Sequence, residues 1–151
     1  MNYAKLDTCS MVNGDGLGVD LFVSGCSLGC KGCFNKKAQD PSYGAPFTEE
    51  TMHTLLDALE SPYIQRLSLL GGDPLEPCNI AAITQIVKTV RGVYGDSKKI
   101  WMWTGRLYAD VRHLPVMKYI DVLIDGPFEL DKKIVRGKYF GSENQRIYWL
   151  R

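Results

Sequence analysis

The chain has 151 residues, of which 45% are hydrophobic and 23% charged, and its net charge at pH 7 is +1. These values predict one globular domain over residues 1–151, exclude a membrane-spanning helix, and give no reason to expect direct binding to nucleic acid or to an anionic membrane. Five cysteines, an odd number, without a secretory leader indicate free thiols in a reducing, cytoplasmic compartment.

The first two predicted elements lead into a cysteine-rich loop. Residues 3–12 are compatible with a strand that ends in the tight turn Asn13-Gly14-Asp15-Gly16. Cys9, within this strand, is expected to be a small buried hydrophobe. Residues 19–24 form a largely apolar run that predicts a second strand.

The loop after this strand holds Cys26, Cys30 and Cys33 at C-x3-C-x2-C spacing, with a glycine before each cysteine. Glycine lets the backbone take positive φ and pass close to a bulky centre, and the glycines argue against cysteines that merely fill a core. Two metal sites remain possible. One is a zinc site completed by Cys9 or Cys78. The other, which we favour, is an iron–sulfur cluster with three thiolate ligands and one position open to a substrate.

A helix, a strand and a second glycine-bearing loop follow. Thr48 is predicted to cap the helix, with Phe47 and Met52 as a hydrophobic staple. Residues 66–70 predict a strand that runs into Gly71-Gly72-Asp73-Pro74-Leu75. Alone, the glycine pair predicts a strand-to-helix turn. Beside a cysteine loop it favours a binding loop, because glycines let backbone atoms approach a ligand.

The third strand of this series is predicted at residues 99–103, after a helix capped by Asn79. Trp101 and Trp103 alternate with Met102, so they should share one sheet face and pack under a helix. Thr104 follows the strand directly.

The last predicted elements are a buried strand over residues 119–124, which ends in Asp125-Gly126, and a final strand over residues 146–150. Between them lies a basic stretch that is interpreted as solvated surface, with Lys132, Lys133, Arg136 and Lys138.

Four glycine-bearing loops therefore each come directly after a predicted strand. In a parallel α/β sheet the C-terminal ends of the strands share one rim, where ligands bind. A closed eight-stranded barrel needs about 250 residues. The chain is therefore predicted to form a partial, open parallel β/α barrel of about five or six strands, with a site on its rim that a large substrate can reach.

The cysteine spacing followed by Phe34 resembles the signature of the radical S-adenosylmethionine enzymes. The strings Phe-Val-Ser-Gly-Cys and Cys-Phe-Asn-Lys resemble the activating enzymes of anaerobic ribonucleoside-triphosphate reductases, which usually have tyrosine at the Phe34 position. The resemblance implies that Cys26, Cys30 and Cys33 bind a [4Fe-4S] cluster whose fourth iron is chelated by S-adenosylmethionine. It also implies that S-adenosylmethionine is cleaved reductively to a 5′-deoxyadenosyl radical, and that this radical takes a hydrogen atom from a glycine of the reductase.

The resemblance extends to further cofactor-binding residues. Gly71-Gly72-Asp73-Pro74 is similar to the family segment whose backbone and acidic side chain receive the methionine amino group. The resemblance also assigns Gly32, Cys33 and Phe34 to the cofactor site, and places Thr104 against the ribose or carboxylate.

The Asp125-Gly126 segment is similar to the family as well, whereas Phe140 stands where the family has arginine. The implied partners are the anaerobic ribonucleoside-triphosphate reductase and a low-potential electron donor such as a flavodoxin. The alternatives are an activase of another glycyl-radical enzyme, such as a formate-lyase, an electron-transfer iron–sulfur protein, and a zinc-stapled interaction module.

Overall fold

A computed structural model describes residues 1–135 and 139–151, so that Arg136 and Lys138 of the basic stretch lie outside the described residues. Within the described residues the chain forms seven strands: β1 Asn2–Ser10, β2 Leu17–Val23, β3 Ala45–Pro46, β4 Ile64–Gly71, β5 Lys99–Trp103, β6 Val122–Asp125 and β7 Arg146–Trp149. The α-helices are α1 Glu49–Glu60, α2 Ile80–Tyr94 and α3 Tyr108–Val111, and short 3₁₀ helices span Lys36–Gln39, Pro115–Tyr119 and Leu130–Lys132.

The strands form one sheet in the order β3-β1-β2-β4-β5-β6-β7. Strands β2, β4, β5 and β6 are parallel, and β1, β3 and β7 run antiparallel to their neighbours. Strands β3 and β7 are the two edges of the described sheet, which is therefore open. This architecture confirms the predicted partial barrel. The additional strand, β3, has two residues, too few for a periodic pattern in the sequence.

The two faces of the sheet are covered differently. Aliphatic side chains such as Leu21, Leu69 and Met102 are buried against α1 and α2 in the main core. Trp101 and Trp103 share the opposite face, as predicted, with their ring centroids 5.8 Å apart. The expectation that they pack under a helix is wrong, since Trp101 lies against Tyr139 and Trp149 of the C-terminal segment. Alternation groups residues onto one face but does not say what covers that face.

Both predicted helix starts lie where they were expected, but only one is capped by its side chain. Thr48 and Thr51 exchange hydrogen bonds in a capping box, with both N···Oγ1 distances at 3.3 Å. Phe47 and Met52 pack against the main core. Asn79 occupies the N-cap position of α2, yet its side chain makes no capping hydrogen bond. The predicted cap is wrong because the Asn79 side chain instead donates hydrogen bonds to the carbonyls of Ser24 and Asp73, in two loops of the site.

Cys9 is exposed rather than buried. The ladder between β1 and β2 is interrupted between Asp7 and Ser10, and such a bulge redirects the side chains around it. The predicted burial of Cys9 is wrong for this reason.

A buried ion pair fixes the turn that follows β1. The Arg66 guanidinium is fully buried and donates to Asp20 Oδ1 at 2.6 Å and to the Ser10 carbonyl at 3.1 Å. Ser68 Oγ donates to the Asn13 carbonyl at 2.5 Å, and Asn13 Nδ2 donates to Asp20 Oδ2 at 2.6 Å. These bonds hold the turn over the sheet face that carries the tryptophans.

Among the described residues no helix has the length and apolar character needed to cross a lipid bilayer.

Candidate metal and cofactor site

One cavity lies at the C-terminal ends of the four parallel strands. It has a volume of about 360 Å³. The loops after β2, β4, β5 and β6 all contribute to it, as expected for strand ends that share one rim. The predicted site residues on its lining are Cys26, Cys30, Cys33, Phe34, Gly71, Gly72 and Thr104.

The cysteine loop has the backbone that its glycines suggested. Gly25, Gly29 and Gly32 have φ values of 104°, 61° and 74°, which lie in the region that favours glycine. The loop is closed by hydrogen bonds from Gly25 N to the Ala38 carbonyl at 2.7 Å and from Cys26 N to the Gln39 carbonyl at 3.1 Å. Ala38 and Gln39, which follow Cys33, therefore fix the backbone of Gly25 and Cys26.

The donor set of this cavity fits a four-iron cluster better than a zinc ion. Within residues 1–135 and 139–151, no three His, Cys, Asp or Glu side chains are grouped closely enough to hold one metal ion. A structural zinc site needs four ligands around a single ion. A four-iron cluster takes one thiolate per iron, so three thiols around a common cavity could each bind a different iron and leave the fourth iron to another ligand. Cys9 and Cys78 are both exposed.

Burial and two nearby carboxylates keep the first cysteine protonated in the absence of a metal. Burial raises the pKa of Cys26 to about 11, and the carboxylates of Asp73 and Glu76 add to the rise. A metal ligand must be deprotonated. A positively charged metal centre beside Cys26 would lower this pKa and so stabilise the thiolate.

Asp73 joins the loop after β4 to the loop after β5. Its carboxylate is 1% exposed and accepts hydrogen bonds from Leu75 N at 2.8 Å, Gly105 N at 3.0 Å and Thr104 Oγ1 at 3.0 Å. Burial raises the pKa of Asp73, and these hydrogen bonds partly offset the rise. The structure therefore gives Asp73 a supporting position, and its contact with a ligand amino group stays a prediction.

The glycine pair has an immediate steric reason. A Cβ on Gly71 would lie 2.6 Å from Val23 N, and a Cβ on Gly72 would clash with the Gly25 carbonyl. Without side chains, Gly72 N reaches the Val23 carbonyl at 2.7 Å and Asp73 N reaches the Gly25 carbonyl at 2.8 Å. The pair lets the loop after β4 pack directly on the cysteine loop.

Two supporting residues were not recognised from the sequence. Glu76 Oε1 accepts hydrogen bonds from Ser27 N at 3.1 Å and Ser27 Oγ at 2.8 Å, and pairs with Arg106 at 2.8 Å. Asn79 Nδ2 donates to the carbonyls of Ser24 at 3.0 Å and Asp73 at 2.9 Å. Their partners are remote in sequence and mostly main-chain atoms, which leave no pattern in the residue types.

The electrostatics of Glu76 follow from these contacts. Burial acts to raise its pKa, but the hydrogen bonds from Ser27 and the charge of Arg106 outweigh burial and hold the pKa below its ordinary value. Glu76 is therefore an ionised acceptor that holds Ser27, the residue next to Cys26.

Comparison with known proteins assigns the family. Residues 12–148 match the family model described as a 4Fe-4S single cluster domain. The anaerobic ribonucleoside-triphosphate reductase-activating protein of Pasteurella multocida is 44% identical over 98% of this chain and 97% of its own length. The proteins of that name from Enterobacteria phage T4 and Escherichia coli K12 are 42% and 37% identical, over 94% and 100% of their own lengths. The chain belongs to this family of activating proteins.

Membership of the activating-protein family confirms the resemblance inferred from the cysteine loop. It also supports an iron–sulfur cluster in this chain. The zinc alternative loses its basis, because the matched domain is one that carries a four-iron cluster.

The remaining wall of the cavity in this member of the family is largely aromatic. Phe34 is 67% exposed and meets Phe128 edge to face, with ring centroids 5.0 Å apart. Phe140 and Tyr139 complete this wall. Gln145 holds it, since its Oε1 accepts from Gly141 N at 2.8 Å and its Nε2 donates to the Gly126 carbonyl at 2.9 Å.

Proposed function

We propose that the chain activates an anaerobic ribonucleoside-triphosphate reductase by generating a glycyl radical on it. A reduced [4Fe-4S] cluster would supply one electron to cleave S-adenosylmethionine into methionine and a 5′-deoxyadenosyl radical, which takes a hydrogen atom from the glycine Cα of the reductase. In this proposal Cys26, Cys30 and Cys33 hold three irons and leave the fourth open.

One observation carries this proposal. The three cysteines of a single loop line the same cavity as the glycine pair after β4 and Thr104 after β5. Three thiolates without a fourth leave a coordination position for a substrate. The glycine pair lets the loop after β4 lie directly against the cysteine loop, so that its main chain borders the same cavity. A cluster that only stabilises the fold would not need the open coordination position.

In this proposal, individual residues bind different groups of S-adenosylmethionine. Gly71, Gly72 and Asp73 receive the methionine amino group, and Asp73 also fixes Thr104, whose side chain meets the ribose or carboxylate. Gly32, Cys33 and Phe34 border the adenosyl part. The Phe34 ring can stack on a ligand but offers no hydroxyl for a hydrogen bond. The scheme transfers a hydrogen atom, so it requires no side-chain acid or base.

The cellular setting follows from the same chemistry. An electron donor of low potential, such as a flavodoxin, is required to reduce the cluster. Five free cysteines suit a reducing cytoplasm. The whole chain would act as one radical S-adenosylmethionine domain.

The test is an anaerobic assay. The protein is reconstituted with iron and sulfide, reduced with dithionite and given S-adenosylmethionine, and 5′-deoxyadenosine is quantified. We expect production that requires both cluster and reductant, and a glycyl radical signal in electron paramagnetic resonance when the reductase is added. A formate-lyase added in parallel tests the other activase. A protein that binds iron but releases no 5′-deoxyadenosine would overturn the proposal.

A further inference from the structure

A second groove lies on the other side of Phe34 from the cofactor cavity. It has a volume of about 560 Å³ and shares Phe34, Asn35 and Gly71 with that cavity. Its other walls include Lys36, Lys37 and the half-exposed ring of Tyr43. Phe34 therefore separates two openings, one that contains the three cysteines and one that is lined by lysines.

Three lysines and no aspartate or glutamate line this groove, and one of them, Lys5, is paired with Asp7 at 2.7 Å. Residues 21–39 contain no aspartate or glutamate, but they include Lys31, Lys36 and Lys37, which are all exposed. None of these three lysines forms an ion pair or a side-chain hydrogen bond with another described residue. Lys133 adds a further positive charge, with Nζ 5.2 Å from the Phe34 ring centroid. A chain with a net charge of +1 thus concentrates unpaired positive charge at its cysteine loop.

The lysines are tied rigidly to the first cysteine. Lys36 and Lys37 lie in the 3₁₀ helix Lys36–Gln39. The carbonyl of Ala38 accepts from Gly25 N at 2.7 Å, and the carbonyl of Gln39 accepts from Cys26 N at 3.1 Å. A molecule bound at this 3₁₀ helix would therefore lie beside the cysteine loop.

We propose that this lysine groove is the docking surface of an acidic protein that delivers the single electron to the cluster. The inference rests on the proposed function, which requires one electron from outside for each cleavage. The donor must come close to the cluster while S-adenosylmethionine and the reductase occupy the other opening. The far side of Phe34 meets both requirements.

Charge complementarity selects the partner. A positive surface steers an acidic protein into encounter and favours rapid association and release, which suits a donor that must leave after one electron. Weak redox encounters also use small interfaces. The reductase is the competing occupant, but the aromatic wall around Phe128 and Phe140 gives its glycine-bearing segment an apolar surface on the cavity side.

The experiment compares two reductants on the reconstituted holoenzyme. The charge-reversed variant Lys36→Glu/Lys37→Glu is assayed for 5′-deoxyadenosine, once with dithionite and once with reduced flavodoxin as the acidic protein donor. We expect the dithionite-driven rate to stay within about twofold of the parent. The flavodoxin-driven rate should fall about 10- to 100-fold, which is within the range of electrostatic steering. The parent rate with flavodoxin should fall as salt is raised, and the variant rate should not.

The matched control is Lys88→Glu/Lys118→Glu, which makes the same charge change at exposed positions outside the groove. Its rates should match the parent with both reductants. If charge reversal prevents cluster assembly, the charge-neutral variant Lys36→Gln/Lys37→Gln replaces it. This variant should show a smaller loss of the flavodoxin-driven rate and no loss of the dithionite-driven rate.

The outcomes separate the two proposals. If the parent releases no 5′-deoxyadenosine with dithionite, the proposed function fails. If the parent is active but the groove variant matches the control with flavodoxin, the docking proposal is overturned. It is also overturned if the variant cleaves S-adenosylmethionine normally with both reductants but no longer forms the glycyl radical, because the groove would then bind the reductase.

Discussion

The loops after β2 and β4 lie against each other in the same site, yet their residues are used in opposite ways. The loop after β2 presents three half-buried cysteines and few side-chain hydrogen bonds of its own. The loop after β4 buries Asp73, Glu76 and Asn79 almost completely, and their polar atoms hold the neighbouring loops. One loop presents the proposed iron ligands, and the other holds that loop in place by hydrogen bonds. The proposed ligands and the residues that support them therefore lie in different loops.

The largest expected effect comes from removing the ligands themselves. Replacing Cys26, Cys30 or Cys33 by alanine should abolish cluster-dependent release of 5′-deoxyadenosine, because each thiolate is proposed to hold a different iron. Iron content and the assay measure this loss. Cys78→Ala is the matched control and should stay active. If any of the three variants retained cleavage, that cysteine would leave the ligand set.

A test of the supporting loop comes from Asn79→Ala. The change removes the donor to the buried Ser24 carbonyl, whereas the Asp73 carbonyl keeps its hydrogen bond from Glu76 N at 3.1 Å. An unsatisfied buried carbonyl costs about 1–3 kcal/mol in the free energy of unfolding. Denaturant titration of the apo-protein measures it. The exposed Asn35, which donates one hydrogen bond to the Gly71 carbonyl, provides the control, since Asn35→Ala should cost less. If the two variants lost the same free energy of unfolding, the buried Asn79 amide would stabilise the fold no more than the exposed Asn35 amide does.

Glu76→Ala separates positioning from folding. Ser27 loses its acceptor beside Cys26. Because Glu76 acts on the cysteine only through this neighbour, we expect a loss of at most about 10-fold, the lower limit for groups that bond a metal ligand directly. We expect a reduced rate of S-adenosylmethionine cleavage and an altered electron paramagnetic resonance spectrum of the reduced cluster. Glu76→Gln, which keeps an acceptor for Ser27, should restore much of the parent spectrum. An unchanged spectrum in Glu76→Ala would remove this residue from the support.

The smallest expected effect is one of pH. The folded pKa of Glu76 lies below its ordinary value of 4.5, so its ionised form stabilises the fold above that value, and this contribution is lost as the pH falls through the folded pKa. The stability difference between the parent and Glu76→Gln should therefore shrink on acidification below about pH 4.5. Unfolding curves at several pH values measure the difference. A constant difference would show that the charge of Glu76 is not involved.

Local patterns in the sequence predicted the cysteine loop and six of the seven strands among the described residues. Spacing and glycines identified the cysteine loop, and hydrophobic runs identified the four parallel strands, because both signals lie within short windows. The open barrel followed from chain length. The hydrogen-bonding roles of Asp73, Glu76 and Asn79 did not follow, since their partners are remote in sequence and mostly main-chain atoms. The exposure of Cys9 was missed because a bulge shifts one strand against another.

The aromatic wall held by Gln145 has a consequence for how such proteins can diverge. Apart from Phe34, the residues of this wall come from the last part of the chain, whereas every proposed iron ligand lies within residues 26–33. A change of protein partner could therefore be made largely by rebuilding the C-terminal segment. The electron chemistry would be inherited intact, and selectivity would evolve separately from it.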